Sequence, residues 1–138
     1  MMRKITAILL CLVALAACDK AFINGELDGM WILQQVEDGE RVIQPENISY
    51  SFQRHMTFIS EHYEEKMPTR YLGNLYYQGD TVTMSGFRKF LEEHIVATPE
   101  KLKEYYLYSD STVFVIERLD EDMLIMKSDN RRYTLRRW

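Results

Sequence analysis

Between Ile48 and Ser60 the side chains alternate. Tyr50, Phe52, Met56 and Phe58 are large and apolar, and Ser51, Gln53, His55 and Thr57 between them are polar. A helix repeats every 3.6 residues, whereas a half-buried strand repeats every two, so this stretch reads as one long β-strand. Arg54 falls on its apolar face, between Phe52 and Met56. A charge left alone there costs several kcal/mol, so it must be paired, face a ligand or stand at the rim of a barrel. A salt bridge to a glutamate inside or at the rim is one reading. Contact with a ligand that has an anionic head and an apolar body is the other.

The rest of the chain keeps the same grammar. Met30 to Glu37 places Trp31 and Leu33 on one face, Ile32 and Val36 on the other, and ends at the turn pair Asp38-Gly39. Tyr71 to Tyr77 and Thr81 to Ser85 flank Gln78-Gly79-Asp80, a second hairpin. Thr112 to Leu119, Met123 to Ser128 and Arg132 to Arg137 follow closely, joined by Asp120-Glu121-Asp122 and Asp129-Asn130-Arg131. Short sequential strands with tight polar turns predict an all-β fold, a small antiparallel meander closed as a barrel or stacked as a sandwich. One short helix is expected before the last strands, because Thr98-Pro99-Glu100 offers an N-cap, a first-turn proline and a first-turn acid ahead of Lys101 to Tyr106. Phe87 to Val96 fits either a helical face or the opening of a strand.

The N-terminus follows different rules. Arg3 and Lys4 precede an apolar run from Ile5 to Leu15, and the small residues Ala16 and Ala17 stand before Cys18. That is the layout of a secretory signal, too short for a stable membrane span. Leu15-Ala16-Ala17-Cys18 resembles the lipobox of bacterial lipoproteins, which implies cleavage before Cys18 and lipid attached to it. Each methylene of such a lipid contributes about 0.8 kcal/mol on insertion, and two or more chains hold stably. The organisation expected is a signal over 1–17, a lipidated cysteine and tether over 18–28, and one domain over 29–138. Cys11 leaves with the signal, so no thiol pair remains.

With 17 basic and 21 acidic residues the chain is at −4, and two units more negative without Arg3 and Lys4, which argues against nucleic acid as a partner. The basic run from Arg131 to Trp138 alternates like a strand and reads as a solvated sheet face.

Gly29-Met30-Trp31 at the head of the first strand resembles the Gly-x-Trp of lipocalins. In that superfamily the tryptophan closes one end of the barrel and a basic residue from a late strand lies across its ring. Arg132, Arg136 or Arg137 could supply it, and Arg136 is taken for the part. The ending STVFVIERLDEDMLIMKSDNRRYTLRRW is similar to the closing strands of small lipocalin-like envelope lipoproteins of Gram-negative bacteria. The resemblance covers roughly Leu27 to Trp138. It implies a lipocalin-like barrel of about eight strands, an outer-membrane address and a small apolar or amphipathic ligand. The chain is shorter than a typical secreted lipocalin, which leaves open a narrow barrel filled with side chains.

Catalysis finds little footing. Beyond Cys18 there is no cysteine, no Gly-x-Ser-x-Gly elbow and no glycine-rich phosphate loop. His55 and His62 lie seven apart, a spacing that neither a helical nor a strand pair of metal ligands uses. Glu61, His62, Glu64 and Glu65 read as exposed charges rather than as a metal site. The chain is therefore expected to be non-enzymatic, with no cofactor and no metal. Candidate ligand-facing residues are Tyr50, Phe52, Arg54, Met56 and Phe58, with Tyr71, Leu75 and Tyr77 opposite. A second reading makes the barrel a solid scaffold for an envelope protein partner, with Tyr105, Tyr106, Tyr108 and the basic tail as its contact surface. The nine tyrosines and the methionines otherwise read as packing.

Overall fold

The computed structural model describes residues 23–138. Cys18, the signal and the first part of the tether lie outside the described residues. A 3-10 turn at Gly25–Leu27 leads into β1 (Gly29–Asp38), β2 (Arg41–Ile43), β3 (Ile48–Gln53), β4 (Met56–Tyr63), β5 (Lys66–Gln78), β6 (Thr81–Lys89) and β7 (Glu92–Val96). Helix α1 (Pro99–Glu104) comes next, then β8 (Ser111–Leu119), β9 (Met123–Ser128) and β10 (Arg131–Arg137). Neighbours run β10-β9-β8-β6-β5-β4-β3-β1, and β10 pairs back onto β1, so eight antiparallel strands close on themselves. β2 extends the sheet beside the end of β1, and β7 folds back on β6. The expected meander barrel is present, with its one short helix before the last strands.

The long strand expected over Ile48 to Ser60 is a hairpin instead. Arg54 takes φ 54° in a tight turn, and β4 returns antiparallel from Met56. Phe52 then faces Thr57 and Tyr50 faces Ile59, so inward positions are even on β3 and odd on β4. The turn inverts the parity. Tyr50, Phe52, Thr57 and Ile59 are therefore buried, Met56 is exposed, and Phe58 points to the outer face, where its ring meets Phe90 edge-on at 5.7 Å. Arg54 is exposed at the turn and does not point into the barrel interior.

A bulge has a similar effect on β1. The register with β10 slips between Leu33 and Gln35, which turns Val36 inward beside Trp31 and Leu33 and not outward with Ile32. Phe87 to Val96 resolves as the end of β6 and all of β7. Phe87 enters the core because Gly73 faces it; a Cβ on Gly73 would stand 2.6 Å from the Phe87 ring. Side chains fill the interior, with Trp31, Tyr50, Phe52, Phe114, Met84 and Leu124 all under 2 % exposed. Each such burial contributes about 1.5–3 kcal/mol. The Thr57 hydroxyl lies among them, buried without a hydrogen-bond partner among the described residues.

One end of the barrel is sealed by its own strands. Trp31 is fully buried and its Nε1 donates to the Leu27 carbonyl at 2.9 Å. The Arg137 guanidinium lies 4.1 Å over the Trp31 ring and donates to the carbonyls of Asp28 at 3.0 Å and Glu26 at 2.6 Å. The cation is Arg137 and not Arg136. On β10 the inward parity runs Tyr133, Leu135, Arg137, which leaves Arg136 exposed outside. Gly29, at φ 125°, makes room for it, since a Cβ there would sit 2.9 Å from Arg137 Nη1. The stretch expected as tether belongs to this seal from Asn24 onward. Asn24 Nδ2 donates to Asp28 Oδ1 at 2.7 Å and to the Arg54 carbonyl at 2.8 Å, and Leu27 is fully buried.

Candidate functional site

The other end of the barrel is closed by a separate piece of chain. Residues 97–110, between β7 and β8, carry α1 and lie over the opening. Thr98 caps α1 by accepting from the Lys101 amide at 3.2 Å, with Pro99 in the first turn. Tyr105 ends the helix and Tyr106, at φ 65°, turns the chain back. Leu102, Tyr105 and Leu107 are thereby driven into the barrel and buried.

Polar groups from three strands reach this plug. Tyr50 of β3 donates its buried hydroxyl to the Tyr105 carbonyl, and Tyr133 of β10 donates to the Tyr106 carbonyl at 2.5 Å. The Tyr105 hydroxyl in turn donates to the Thr69 carbonyl of β5 at 3.5 Å. The rings interlock edge-on, Tyr71 with Tyr105 at 5.7 Å and Phe114 with Tyr133 at 5.0 Å. Burial pushes the Tyr50, Tyr105 and Tyr133 hydroxyls well above the usual tyrosine range. They stay protonated, and hence remain donors, at any physiological pH.

Two clefts flank the plug. One, of about 450 Å³, is lined by Tyr108, Ser109, Ser111, Thr112, Val113, Ser128, Asp129, Arg131 and Tyr133. Arg131 is held there by Asp38 at 3.3 Å and lies 3.8 Å over the Tyr108 ring. The other, of about 460 Å³, is lined by Glu61, Tyr63, Thr69, Lys101, Glu104 and Tyr105. Its charges are paired at the surface, Lys101 with Glu104 at 3.2 Å and Glu61 with the Tyr63 hydroxyl. Hydroxyls, one guanidinium and carboxylates make both clefts polar, whereas the barrel beneath the plug is aromatic and aliphatic. Such a mouth suits a molecule with a polar head and an apolar body.

Of the residues expected to face a ligand, Tyr50, Phe52, Tyr71 and Leu75 converge on the interior, and Tyr77 packs half-buried against it. Arg54, Met56 and Phe58 do not join them. The tyrosine surface imagined for a protein partner is dispersed as well. Tyr105 is buried, Tyr106 half-buried, and Tyr108 exposed under Arg131. His62 stands on the outer face, 2.9 Å from Ser49 Oγ and beside the Trp138 ring; burial, with Arg70 next in effect, lowers its pKa. Sequence reasoning missed the plug as a site. Its signal was the triplet Tyr105-Tyr106-Leu107 directly after a capped helix too short to stand by itself.

The comparisons with known proteins agree with this architecture. A family model, the lipocalin-like domain, matches residues 11–138. A lipocalin-like protein from Bacteroides uniformis superposes with a TM-score of 0.64 at 16% identity, over 83% of this chain and 100% of that one. An uncharacterized protein from Bacteroides eggerthii does so with a TM-score of 0.62 at 13% identity, over 81% and 99%. No curated protein matches the chain. With the sealed Trp31–Arg137 end, the closed eight-stranded barrel and a family match across nearly its whole length, the chain belongs to the lipocalin-like domain family.

Proposed function

We propose that this chain is a membrane-tethered, non-enzymatic binding protein that holds a small amphipathic molecule at the mouth of its barrel. One observation carries the reading: the two ends are closed by different means. Trp31, Leu27 and Arg137 seal one end from within the strands themselves. The other is stoppered by a separate segment, held by the hydroxyls of Tyr50 and Tyr133 and by the apolar side chains of Leu102 and Leu107. A short segment with few bonds to the frame opens more readily than a strand. Its withdrawal exposes an aromatic interior beneath a polar rim. Tethering is supported by Leu15-Ala16-Ala17-Cys18, and the non-enzymatic role by membership of the lipocalin-like domain family.

The test is a titration of the isotope-labelled chain with dodecanoate, followed by amide and methyl NMR. Shifts should concentrate on Tyr105, Tyr106 and Leu107 and on the interior methyls of Leu75 and Leu124. Shifts confined to the outer face, or none at millimolar ligand, overturn the reading. A second reading, an envelope protein partner, is favoured by one corner beside the mouth. There Met67 and Leu91 are 89% and 82% exposed around a groove of about 280 Å³ that also includes Phe90. Co-purification of a protein lost on Leu91→Ser would favour it.

A further inference from the structure

The described residues begin at the sealed end of the barrel, and that bears on which way the molecule can face. Asn24 is clamped to the Arg54 turn at 2.8 Å, and the Glu26 and Asp28 carbonyls are held by Arg137 at 2.6 and 3.0 Å. The tether is therefore shorter than the sequence suggested. From Cys18 to Ile23 five peptide steps span at most about 18 Å, whatever their conformation. The mouth lies a full barrel height farther off. β1 rises by roughly 30 Å along its own axis and, at the usual barrel tilt, by about 25 Å along the barrel.

We infer that the partner surface of the sealed end is the bilayer that holds the Cys18 lipid, and that the plugged mouth points away from it. This rests on the lipid-anchor reading. Ile23 stands 50% exposed at the sealed end, where the Trp138 amide donates to the Met30 carbonyl at 3.0 Å while the Trp138 ring lies along the outer wall beside His62. Charge does not drive the contact, because the exposed Glu26, Asp80, Glu121 and Asp122 there stand against the exposed Arg54, Arg118 and Arg136. The lipid supplies affinity and the short tether supplies orientation. Ligand then exchanges with the aqueous side, or with a surface facing the anchoring membrane. It does not slide in laterally from the leaflet beneath.

The experiment uses the full chain, lipidated in a bacterial host and reconstituted into phosphatidylethanolamine–phosphatidylglycerol vesicles that carry an acceptor dye on the headgroup. Single cysteines for a donor dye are placed at Gln78→Cys, on the turn at the sealed end, and at Glu40→Cys, on a turn at the mouth. Energy transfer should be at least about twofold higher from position 78 than from position 40, given a height difference of about 25 Å. Equal transfer from the two positions, or greater transfer from position 40, on a vesicle-bound chain overturns the orientation alone. A mature chain whose mass shows no lipid on Cys18 overturns the orientation and the anchor together.

Discussion

Tyr50→Phe removes one oxygen from the molecule and tests how the mouth is held shut. The hydroxyl is buried, its ring is packed on all sides, and its acceptor is the carbonyl that ends α1. Phenylalanine keeps the ring in place and leaves the Tyr105 carbonyl buried without that donor. Loss of a neutral hydrogen bond with one partner stranded costs about 1–3 kcal/mol. At 1.36 kcal/mol per decade, the opening constant of the plug should rise about 5- to 150-fold. Native-state hydrogen exchange reads this directly. The Leu102 amide donates to Thr98 and the Leu107 amide to Leu102, each at 3.0 Å, so both report on the plug. Barrel amides such as that of Leu124 serve as the reference. In the wild type the plug amides should exchange faster than the barrel amides, and Tyr50→Phe should speed them by the stated factor. Adding Tyr133→Phe, whose hydroxyl holds the next carbonyl, should multiply the effect. Plug amides as protected as the barrel, or unmoved by the double substitution, would refute the idea that the mouth is closed by a separable segment.

Four further outcomes follow from single contacts. Arg137→Ala removes the cation over Trp31 and the donors to Glu26 and Asp28, and should lower unfolding free energy by about 2–3 kcal/mol in urea titration, whereas Arg136→Ala should change it by under about 0.5 kcal/mol. Thr57→Val replaces a buried hydroxyl without a partner by a methyl of similar size, and should raise stability by about 1 kcal/mol in the same assay. Arg54→Gly relieves a left-handed backbone at an exposed turn and should raise the thermal midpoint by a few degrees, about 0.5–1 kcal/mol. The Asp120 carboxylate accepts from the Asp122 amide, the Arg118 guanidinium and the Met123 amide, which hold its pKa at about 2. A folded pKa below the unfolded one contributes stability that is present above about pH 4 and lost as pH falls towards 2, so Asp120→Asn should flatten the acid limb of stability against pH.

The strand grammar of the fold was legible because alternation survives wherever a sheet has one wet face. The boundaries that failed did so for local reasons. Nothing in the run from Tyr50 to Phe58 marks Arg54 as a turn, since it carries no glycine, proline or Asn-Gly pair, and the left-handed φ is imposed by the hairpin closing around it. That one hidden turn misplaced Arg54, Met56 and Phe58 together. The bulge that turns Val36 inward is equally silent. Tyr50 and Phe52 do point inward as the alternation of β3 indicates, whereas Tyr71 to Tyr77 carries aromatics on both faces and only the pairing of β5 shows that Tyr71 and Leu75 turn inward. Trp31 was legible as a closing residue, and its cation was narrowed to three arginines that only the register of β10 can tell apart. The plug was beyond reach, because its role comes from where the barrel stops and not from its own pattern.

The pairing of β1 with β10 also sets the timing of folding. The Arg137 guanidinium meets the Asp28 carbonyl across 109 residues of chain, so the first strand waits for the last. Until Trp138 has been delivered, β1 and β9 both present open edges and the ring cannot shut. The same dependence makes the C-terminus a point of failure. Trimming from Arg131 onward removes the seam, the Trp31 seal and the Tyr133 hold on the mouth in one cut.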